Sequence, residues 1–254
     1  MVIGSSTGEA GTALLSLDVP SNGNYSVMVG AVASDGPGQG AYLITVLMTG
    51  ETARKLAAAD QLLTQGTQLQ MEGRFQEARV VWEEALQLNR EIGNSVREGA
   101  VLSNLGFLHT VLGQYEKAIR FYEQHLTLAQ ETLGDTSAEG LTLLNLADVH
   151  LILNQHQYAL ELYQKSLEVA QNSRFQALES GALFGLGNLY LDLEQYEKAI
   201  DLYEQSLEIA EEIEHSAMQS RALGGLGSAY LNLNQYQRAI DLYEQSIDTA
   251  YVIG

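Results

Sequence analysis

The most informative stretch is residues 187–207, which read GNLYLDLEQYEKAIDLYEQSL. It returns 40 positions later, at residues 227–247, as GSAYLNLNQYQRAIDLYEQSI. A sequence that resembles itself at a fixed period of this size is typical of proteins built from stacked repeats. One repeated module therefore predicts the fold, and the rest of the chain can be compared with it position by position.

The same module extends backwards through most of the chain. Its marker alanines lie 40, 41, 40 and 40 residues apart, at Ala78, Ala118, Ala159, Ala199 and Ala239. Twelve positions before them stand Gly66, Gly106, Ala147, Gly187 and Gly227, and four positions after them stand Trp82, Tyr122, Tyr163, Tyr203 and Tyr243. One register thus divides the chain into five units, at about 54–93, 94–133, 134–174, 175–214 and 215–254.

Each unit is predicted to form two helices. In the first helix, the module glycine is followed three residues later by an aromatic residue, as at Tyr190 and Tyr230. In the second, Ala199, Tyr203 and Leu207 recur every four residues, which is typical of one buried helical stripe. The small residues are expected to let the two helices approach closely, while the aromatic ring fills the space beside them.

A short turn joins the two helices of each unit. It falls at Gly73, Gly113, Asn154, Glu194 and Asn234. Glycine and asparagine suit the left-handed backbone that often ends a helix. Glu194 does not, so its turn is expected to be tight in another way.

These residues resemble the tetratricopeptide repeat (TPR) family, over about four fifths of the chain. The usual TPR unit has 34 residues, and the longer unit here resembles the long-helix variety of kinesin light chains and spindle-orientation adaptors. The resemblance implies an all-α fold, a right-handed α-solenoid of five helix-turn-helix units. It also implies a protein–protein interaction scaffold that binds a partner peptide or helix in a concave groove lined by the first helices.

The register assigns candidate residues to that groove: Asn104, Phe107, Asn145, Asp148, Phe184, Asn188, Arg221, Ser228 and Asn232. The asparagines can hydrogen-bond an extended peptide backbone, because an amide supplies both a donor and an acceptor. Phe107 and Phe184 are expected to be apolar anchors. The alternative is a solvated helix face with no ligand. A clamp for a carboxyl terminus is not expected, because Arg221 is the groove's single basic residue.

Residues 1–50 differ in kind and are interpreted as a small antiparallel β segment, a fragment of a β-sandwich. Tyr25, Val27 and Val29 alternate with Ser26 and Met28, and glycine-rich turns separate three runs of this strand-like character. Residues 17–29 and 40–46 resemble the end of a bacterial pre-peptidase C-terminal (PPC) domain. That resemblance implies a larger bacterial or cyanobacterial PPC–TPR protein, some of which end in a caspase-like CHAT peptidase domain. The alternative function is therefore a regulatory or substrate-recruiting segment of such an enzyme.

Composition narrows the function further. A formal net charge of −19 argues against binding to nucleic acid, which needs Lys and Arg to neutralise phosphates, and against anionic membranes. The negative charge has two possible explanations: it keeps an extended surface soluble, or it attracts a basic partner. With neither a signal peptide nor an apolar run long enough for a membrane helix, a cytoplasmic location is expected, or export if the PPC-like segment reflects its parent.

No pattern predicts catalysis, a metal site or a cofactor. The chain has no cysteine, and His109 and His150 occupy the aromatic position of two first helices, where packing is expected. The runs around Gly187 and Gly227 lack the Lys-Ser/Thr of a phosphate loop and indicate close helix packing instead. The chain is therefore predicted not to be an enzyme.

The last predicted helix is expected to expose Ile247, Ala250 and Val252, which a following unit would cover. Terminal repeats normally carry a polar outer face. This end of the chain is interpreted as a truncation or as an edge for self-association.

Overall fold

The computed structural model describes residues 12–19, 23–32, 41–47 and 51–251, with side chains for residues 51–250 except 132 and 133. The chain forms two compact units, an N-terminal unit of residues 1–98 and a C-terminal unit of residues 99–254. Three strands open the N-terminal unit, β1 Thr12–Val19, β2 Gly23–Val32 and β3 Ala41–Leu47. They pair antiparallel in the order β1-β2-β3. Residues 20–22 and 33–40 lie outside the described residues, and the relation of this segment to a PPC domain stays a prediction.

Everything described from residue 51 onward is helix or short turn, and the prediction of an all-helical repeat architecture is confirmed. The helices are α1 Glu51–Met71, α2 Phe75–Ile92, α3 Ser95–Val111, α4 Tyr115–Thr127, α5 Thr136–Ile152, α6 His156–Ser173, α7 Gln176–Asp192, α8 Tyr196–Glu212, α9 Ser216–Asn232 and α10 Tyr236–Tyr251. The pair α1–α2 belongs to the N-terminal unit. In the C-terminal unit, the helices from α4 to α10 each pack against their neighbours in chain order, which is the contact pattern of a solenoid.

The module aromatics form the core between the helices. Tyr203 is fully buried, and a Cβ added at Gly187 would lie 2.5 Å from its ring. Gly106 faces Tyr122 and Gly227 faces Tyr243 in the same way, at 2.5 and 2.8 Å. The marker alanines are buried beside these rings: Ala78, Ala118, Ala159 and Ala199 at 0 % exposure and Ala239 at 2 %. The glycines are therefore needed because a side chain there would displace a packed ring.

The same ring also contacts the next repeat. On its far side, Tyr203 meets Gly225 of α9, whose added Cβ would lie 2.7 Å away, and Tyr163 meets Gly185 of α7. Tyr203 is thus held between the first helix of its own repeat and that of the following one. In the third and fourth repeats, one aromatic ring thus joins three helices.

The turns inside the helix pairs all use the left-handed backbone, including the one at Glu194. Its φ is +58°, equal to that of Asn234 and close to the φ of +56° at Asn154. The expectation that Glu194 turns differently is therefore wrong. Gln195 N donates to Tyr190 O at 2.8 Å and Glu194 N to Leu191 O at 3.0 Å, so the helix end is satisfied by backbone bonds that any residue can make.

A π-helical turn, Leu128–Leu133, extends α4 and accommodates the one irregular spacing of the repeat. In the other repeats, the residue after the left-handed turn donates back over five positions, as Phe175 N does to Ala170 O at 2.9 Å. Here Asp135 N donates to Ala129 O over six positions, at 3.1 Å. The extra residue between Ala118 and Ala159 is therefore absorbed inside the helix end, as a π turn allows.

His125 stands where other repeats carry a small residue, and the chain compensates for its size. It is 8 % exposed and faces Gly99, whose added Cβ would lie 3.1 Å from its ring. Its Nδ1 lies 2.9 Å from Thr142 Oγ1, and that hydroxyl donates to Ala138 O. Burial lowers the pKa of the imidazole, an effect that Asp135 opposes. In the fourth repeat, Ser180 and Ser206 instead bond directly at 3.0 Å.

Candidate functional site

Two adjoining pockets lie along the first helices of the C-terminal unit, and we call them together the first-helix groove. One has a volume of about 360 Å³ and is lined by Phe107, Thr110, Tyr122, Asn145, Asp148, Leu151, Ile152, Asn188 and Arg221. The other, of about 390 Å³, is lined by Leu151, Ile152, Asn154, Asn188, Leu191 and Asp192. The groove therefore brings together five of the nine residues that the register assigned to a binding surface.

The apolar part of the groove is exposed to solvent. Phe107 is 47 % exposed and Ile152 is 49 % exposed, although both are large hydrophobic side chains. They come from α3 and α5, and Leu151 lies beside Ile152 in both pockets. When a partner side chain covers such residues, the burial of their apolar surface stabilises the complex by about 25 cal/mol per Å².

The buried tyrosines of the module form hydrogen bonds to polar side chains of the groove. Tyr163 Oη donates to Asp148 Oδ1 at 2.6 Å, and Tyr203 Oη donates to Asn188 Oδ1 at 2.7 Å. Both acceptors stand directly after the module glycine position, fifteen residues before the tyrosine. A buried hydroxyl needs such a partner, and the bond in turn fixes the orientation of the groove side chain.

The hydroxyl bonds leave some groove groups unpaired. With its oxygen bonded to Tyr203, Asn188 keeps its Nδ2 group without a hydrogen bond to any residue whose side chain is described. Asn145 is half-buried, and its amide makes no hydrogen bond within that same part of the chain. Each amide can therefore donate to a carbonyl oxygen, and Asn145 can also accept from an N–H group.

Asp148 and Arg221 set the charge of the groove. Burial raises the pKa of the Asp148 carboxyl, while the hydrogen bond from Tyr163 and the positive charge of Arg221 act in the opposite direction. The Arg221 guanidinium carbon lies 4.5 Å from the centre of the Phe184 ring, a cation–π arrangement. The single cation of this pocket is thus oriented by an aromatic face and lies near a carboxyl group.

The remaining candidate residues lie outside these two pockets. Phe184 is partly buried and tilts against Tyr203 with ring centres 5.5 Å apart, so it supports the core and Arg221. Ser228 Oγ lies 3.0 Å from Tyr243 Oη, and Asn232 Nδ2 donates to Ser228 O at 2.9 Å. Asn104 is half-buried on α3. An anchor role for Phe184 and a ligand role for these three polar residues stay predictions.

The remaining aromatic residues of the module make contacts within their own helix pairs. Tyr190 lies under Lys198 Nζ at 5.0 Å, and Tyr230 lies under the Arg238 guanidinium at 4.9 Å. Trp82 of α2 is fully buried, contacts Gly66 and donates from Nε1 to Leu63 O at 3.3 Å. These residues fix the packing of each helix pair.

Neither a metal centre nor a membrane span is visible in the described part of the chain. Within residues 51–251, no three His, Asp or Glu side chains come together as a metal site would require. None of the helices there combines the length and the apolar character needed to cross a bilayer. His109 is buried and stacks on Phe121, with ring centres 5.2 Å apart.

Comparison with known proteins agrees with the repeat architecture of the helices. The family model described as "Tetratricopeptide repeat" matches residues 97–172 and 178–251. No curated protein matches the chain.

Three solved structures illustrate the shared fold. BtubC from P. vanneervenii is 20 % identical, with a TM-score of 0.62 over 81 % of this chain and 93 % of its own. TPR-like repeats of a Podosopora anserina kinesin light chain are 20 % identical, with a TM-score of 0.60 over 79 % of this chain and 96 % of theirs. A Rap protein complexed with Competence and Sporulation Factor is 16 % identical, with a TM-score of 0.70 over 78 % of this chain and 55 % of its own. At these identities the likeness concerns the fold alone.

Proposed function

The chain belongs to the tetratricopeptide repeat family, and on that basis we propose that it is a protein-interaction scaffold that binds a segment of a partner protein in the first-helix groove. The observation that carries this proposal is the combination of exposed apolar side chains with unpaired amides in one pocket. Phe107 and Ile152 offer apolar surface, while Asn145 and Asn188 offer hydrogen-bonding groups.

The bound segment is an extended peptide or one face of a helix. An apolar partner side chain covers Phe107 and Ile152, and the amides of Asn145 and Asn188 bond the partner backbone. Fully burying one large apolar side chain contributes about 1.5–3 kcal/mol. Micromolar binding corresponds to about −8 kcal/mol, so several such contacts are needed. The rigid support of Asn188 by Tyr203 lowers the entropy cost of ordering the site.

The partner segment carries basic side chains in this proposal. The chain has a net charge of −19, and Asp148 and Asp192 both line the groove. Opposite charge across an interface raises the association rate more than the final affinity, and salt screens it. If the segment is basic, raising the salt concentration from about 50 to 500 mM should weaken binding, mainly through a slower association rate. An association rate that does not depend on salt contradicts this part of the proposal.

The test compares two variants in pull-downs with mass spectrometry. Phe107→Ala combined with Asn145→Ala removes an exposed anchor and an unpaired amide, so loss of the partner is expected with an unchanged helical circular dichroism signal. Phe184 is left intact because it packs against Tyr203 and its loss would also affect stability. Tyr158→Ala is the matched control, since Tyr158 is an exposed aromatic (62 %) on second helix α6. Retention of the partner by the groove variant, or its loss from the control, contradicts the proposal.

A further inference from the structure

Two groove residues of opposite charge share one pocket without pairing with each other. Asp148 of α5 and Arg221 of α9 both line the pocket of about 360 Å³. The Arg221 guanidinium lies over the Phe184 ring, 4.5 Å from its centre, and forms no ion pair with any carboxylate in the part of the chain whose side chains are described. The pocket therefore offers a carboxyl group and a guanidinium group to one ligand.

Both groups have hydrogen-bonding capacity that the chain does not use. Tyr163 Oη donates to Asp148 Oδ1 at 2.6 Å, whereas Asp148 Oδ2 accepts no hydrogen bond from the side chains that the structure describes. Arg221 is exposed, and its N–H groups donate to no residue of that same part. An ionised carboxylate only accepts hydrogen bonds and a guanidinium only donates them, so the pocket has an acceptor on one element and donors on another.

The two local charges cancel, and this decides which kind of group fits. A Lys or Arg head group at Asp148 would also lie near Arg221, and an Asp or Glu head group at Arg221 would also lie near Asp148. A carboxamide carries no charge and supplies both N–H donors and an oxygen acceptor. The pocket is therefore complementary to the head group of an Asn or Gln side chain.

We propose that this pocket binds the carboxamide of an Asn or Gln side chain from the segment that occupies the first-helix groove; the inference rests on the proposed function and specifies it further. A carboxamide N–H donates to Asp148 Oδ2, and the carboxamide oxygen accepts from the Arg221 guanidinium. The methylene stem packs against Leu151 and Ile152, which line the same pocket. Basic side chains elsewhere in the segment respond to the net charge of the whole chain, whereas this pocket selects one neutral side chain.

A side chain fits the pocket better than a backbone amide does. The oxygen and the N–H groups of a carboxamide project together from the end of its stem, whereas the C=O and N–H of a trans peptide bond point in opposite directions. Asp148 is bonded to the fully buried Tyr163, so its carboxyl lies at the base of the pocket. A side chain reaches that base with its free end, while the backbone of the segment passes over the exposed Phe107 and Ile152.

The test compares three small probes that differ in their head group: butyramide, butyrate and n-butylammonium. Each is titrated into the full 254-residue chain at about pH 8, because burial raises the pKa of the Asp148 carboxyl and the test needs its ionised form. NMR follows binding through the side-chain amide of Asn188, which lines the same pocket. Butyramide should bind saturably at about 1–50 mM, and about three- to tenfold more tightly than either charged probe.

Two substitutions should each reverse this preference. Asp148→Asn replaces the acceptor by an N–H donor and removes the negative charge, so butyrate should become the tightest probe by about three- to tenfold. Arg221→Leu removes the donor and the positive charge, so n-butylammonium should become the tightest probe by a similar factor. Loss of a merely structural role would weaken all three probes alike and would not reverse their order.

Matched controls make the same chemical changes outside the pocket. Asp201→Asn changes an exposed residue of α8, and Arg238→Leu changes an exposed residue of α10. Arg238 lies over Tyr230 at 4.9 Å, so this control also removes a cation–π contact. Both controls should keep the wild-type order of the probes, and circular dichroism checks that every variant is folded. N-methylbutyramide, which resembles a backbone amide, should bind more weakly than butyramide.

Several outcomes overturn the inference. They are the absence of saturable butyramide binding up to about 100 mM, a charged probe that binds the wild type most tightly, an unchanged order of probes in the two pocket variants, and N-methylbutyramide that binds as tightly as butyramide. If the probes fail while the groove variant still loses its partner in pull-downs, the carboxamide pocket alone is refuted. If the probes bind as expected while that groove variant keeps its partner, the proposed function is refuted instead.

Discussion

Replacing either of two adjacent glycines of α9 by alanine should change the unfolding free energy, but in opposite directions at the two positions. A Cβ at Gly225 would lie 2.7–2.8 Å from three atoms of the Tyr203 ring, and the ring cannot retreat because Gly187 packs on its other side. A Cβ at Gly224 would meet only Ser246 Oγ, at an ordinary 3.7 Å. The two positions share one helix, one flanking sequence and one chemical change, and they differ only in what the new methyl group contacts.

The magnitudes follow from two opposing effects. Alanine in place of glycine inside a helix stabilises by about 0.8–1.0 kcal/mol, whereas forcing an extra methyl group into a close-packed interior costs about 1–3 kcal/mol. Gly224→Ala should therefore raise the unfolding free energy by about 1 kcal/mol. Gly225→Ala should lower it by about 1–2 kcal/mol, because the trapped ring places the packing cost near the upper end of its range.

Urea denaturation followed by circular dichroism measures both changes as shifts of the midpoint at constant m-value. A difference between the two variants of about 2–3 kcal/mol is expected. Equal shifts, or a stabilised Gly225→Ala, would refute the packing of Tyr203 between two first helices.

Three further predictions concern single side chains. Tyr203→Phe removes the donor to Asn188 Oδ1 and should cost about 0.5–1.5 kcal/mol in urea denaturation, while Tyr196→Phe, a half-buried tyrosine of the same helix, should change little. Burial raises the pKa of Asp148 above its unfolded value, so its contribution to stability is complete below the unfolded pKa and is lost as pH rises through the folded pKa. Asp148→Asn should therefore be more stable than the wild type at neutral pH and lose that advantage in acid, as thermal denaturation across pH can show; a constant difference would contradict the burial of the carboxyl. Glu194→Gly relieves the strain of a left-handed backbone at φ +58° and should raise the unfolding free energy by up to about 1 kcal/mol. Gly113→Ala, at φ +68°, should lower it by a similar amount. If both shifts have the same sign, the left-handed turns do not control stability at these positions.

The helical part of the fold could be predicted from sequence because its determinants are local and repeated. The spacing of Ala199 and Tyr203 predicts a buried helical stripe, and five aligned copies remove the ambiguity of any single one. The same register placed Phe107, Asn145 and Asp148 on the first helices, where the structure gathers them in one pocket.

Two structural features were not predicted, because the repeat pattern does not show which residues contact one another. The π turn at Leu128–Leu133 had a sequence signal, the spacing of 41 between Ala118 and Ala159, but the pattern does not say where the extra residue is absorbed. The bonds from Tyr163 and Tyr203 to groove residues also had a signal, the constant separation of fifteen positions.

The prediction for the turn at Glu194 was wrong, and the sequence did not show the contacts of Phe184. Glu194 adopts a left-handed turn because the backbone bonds of the helix end, shared by every repeat, outweigh its own preference. Phe184 packs against Tyr203 of the following helix and under Arg221 of the next repeat, and neither contact can be deduced from the spacing of the repeat alone.

Site-specific photo-crosslinking tests the interaction-scaffold proposal most directly. Benzoyl-phenylalanine is placed at Phe107 in the groove or at Tyr158 on α6, two exposed aromatic positions on different helix layers. The account predicts that a defined peptide of a bound partner is linked from position 107 and not from position 158. A partner that still binds both proteins but is linked only from position 158, or equally from both, would contradict it.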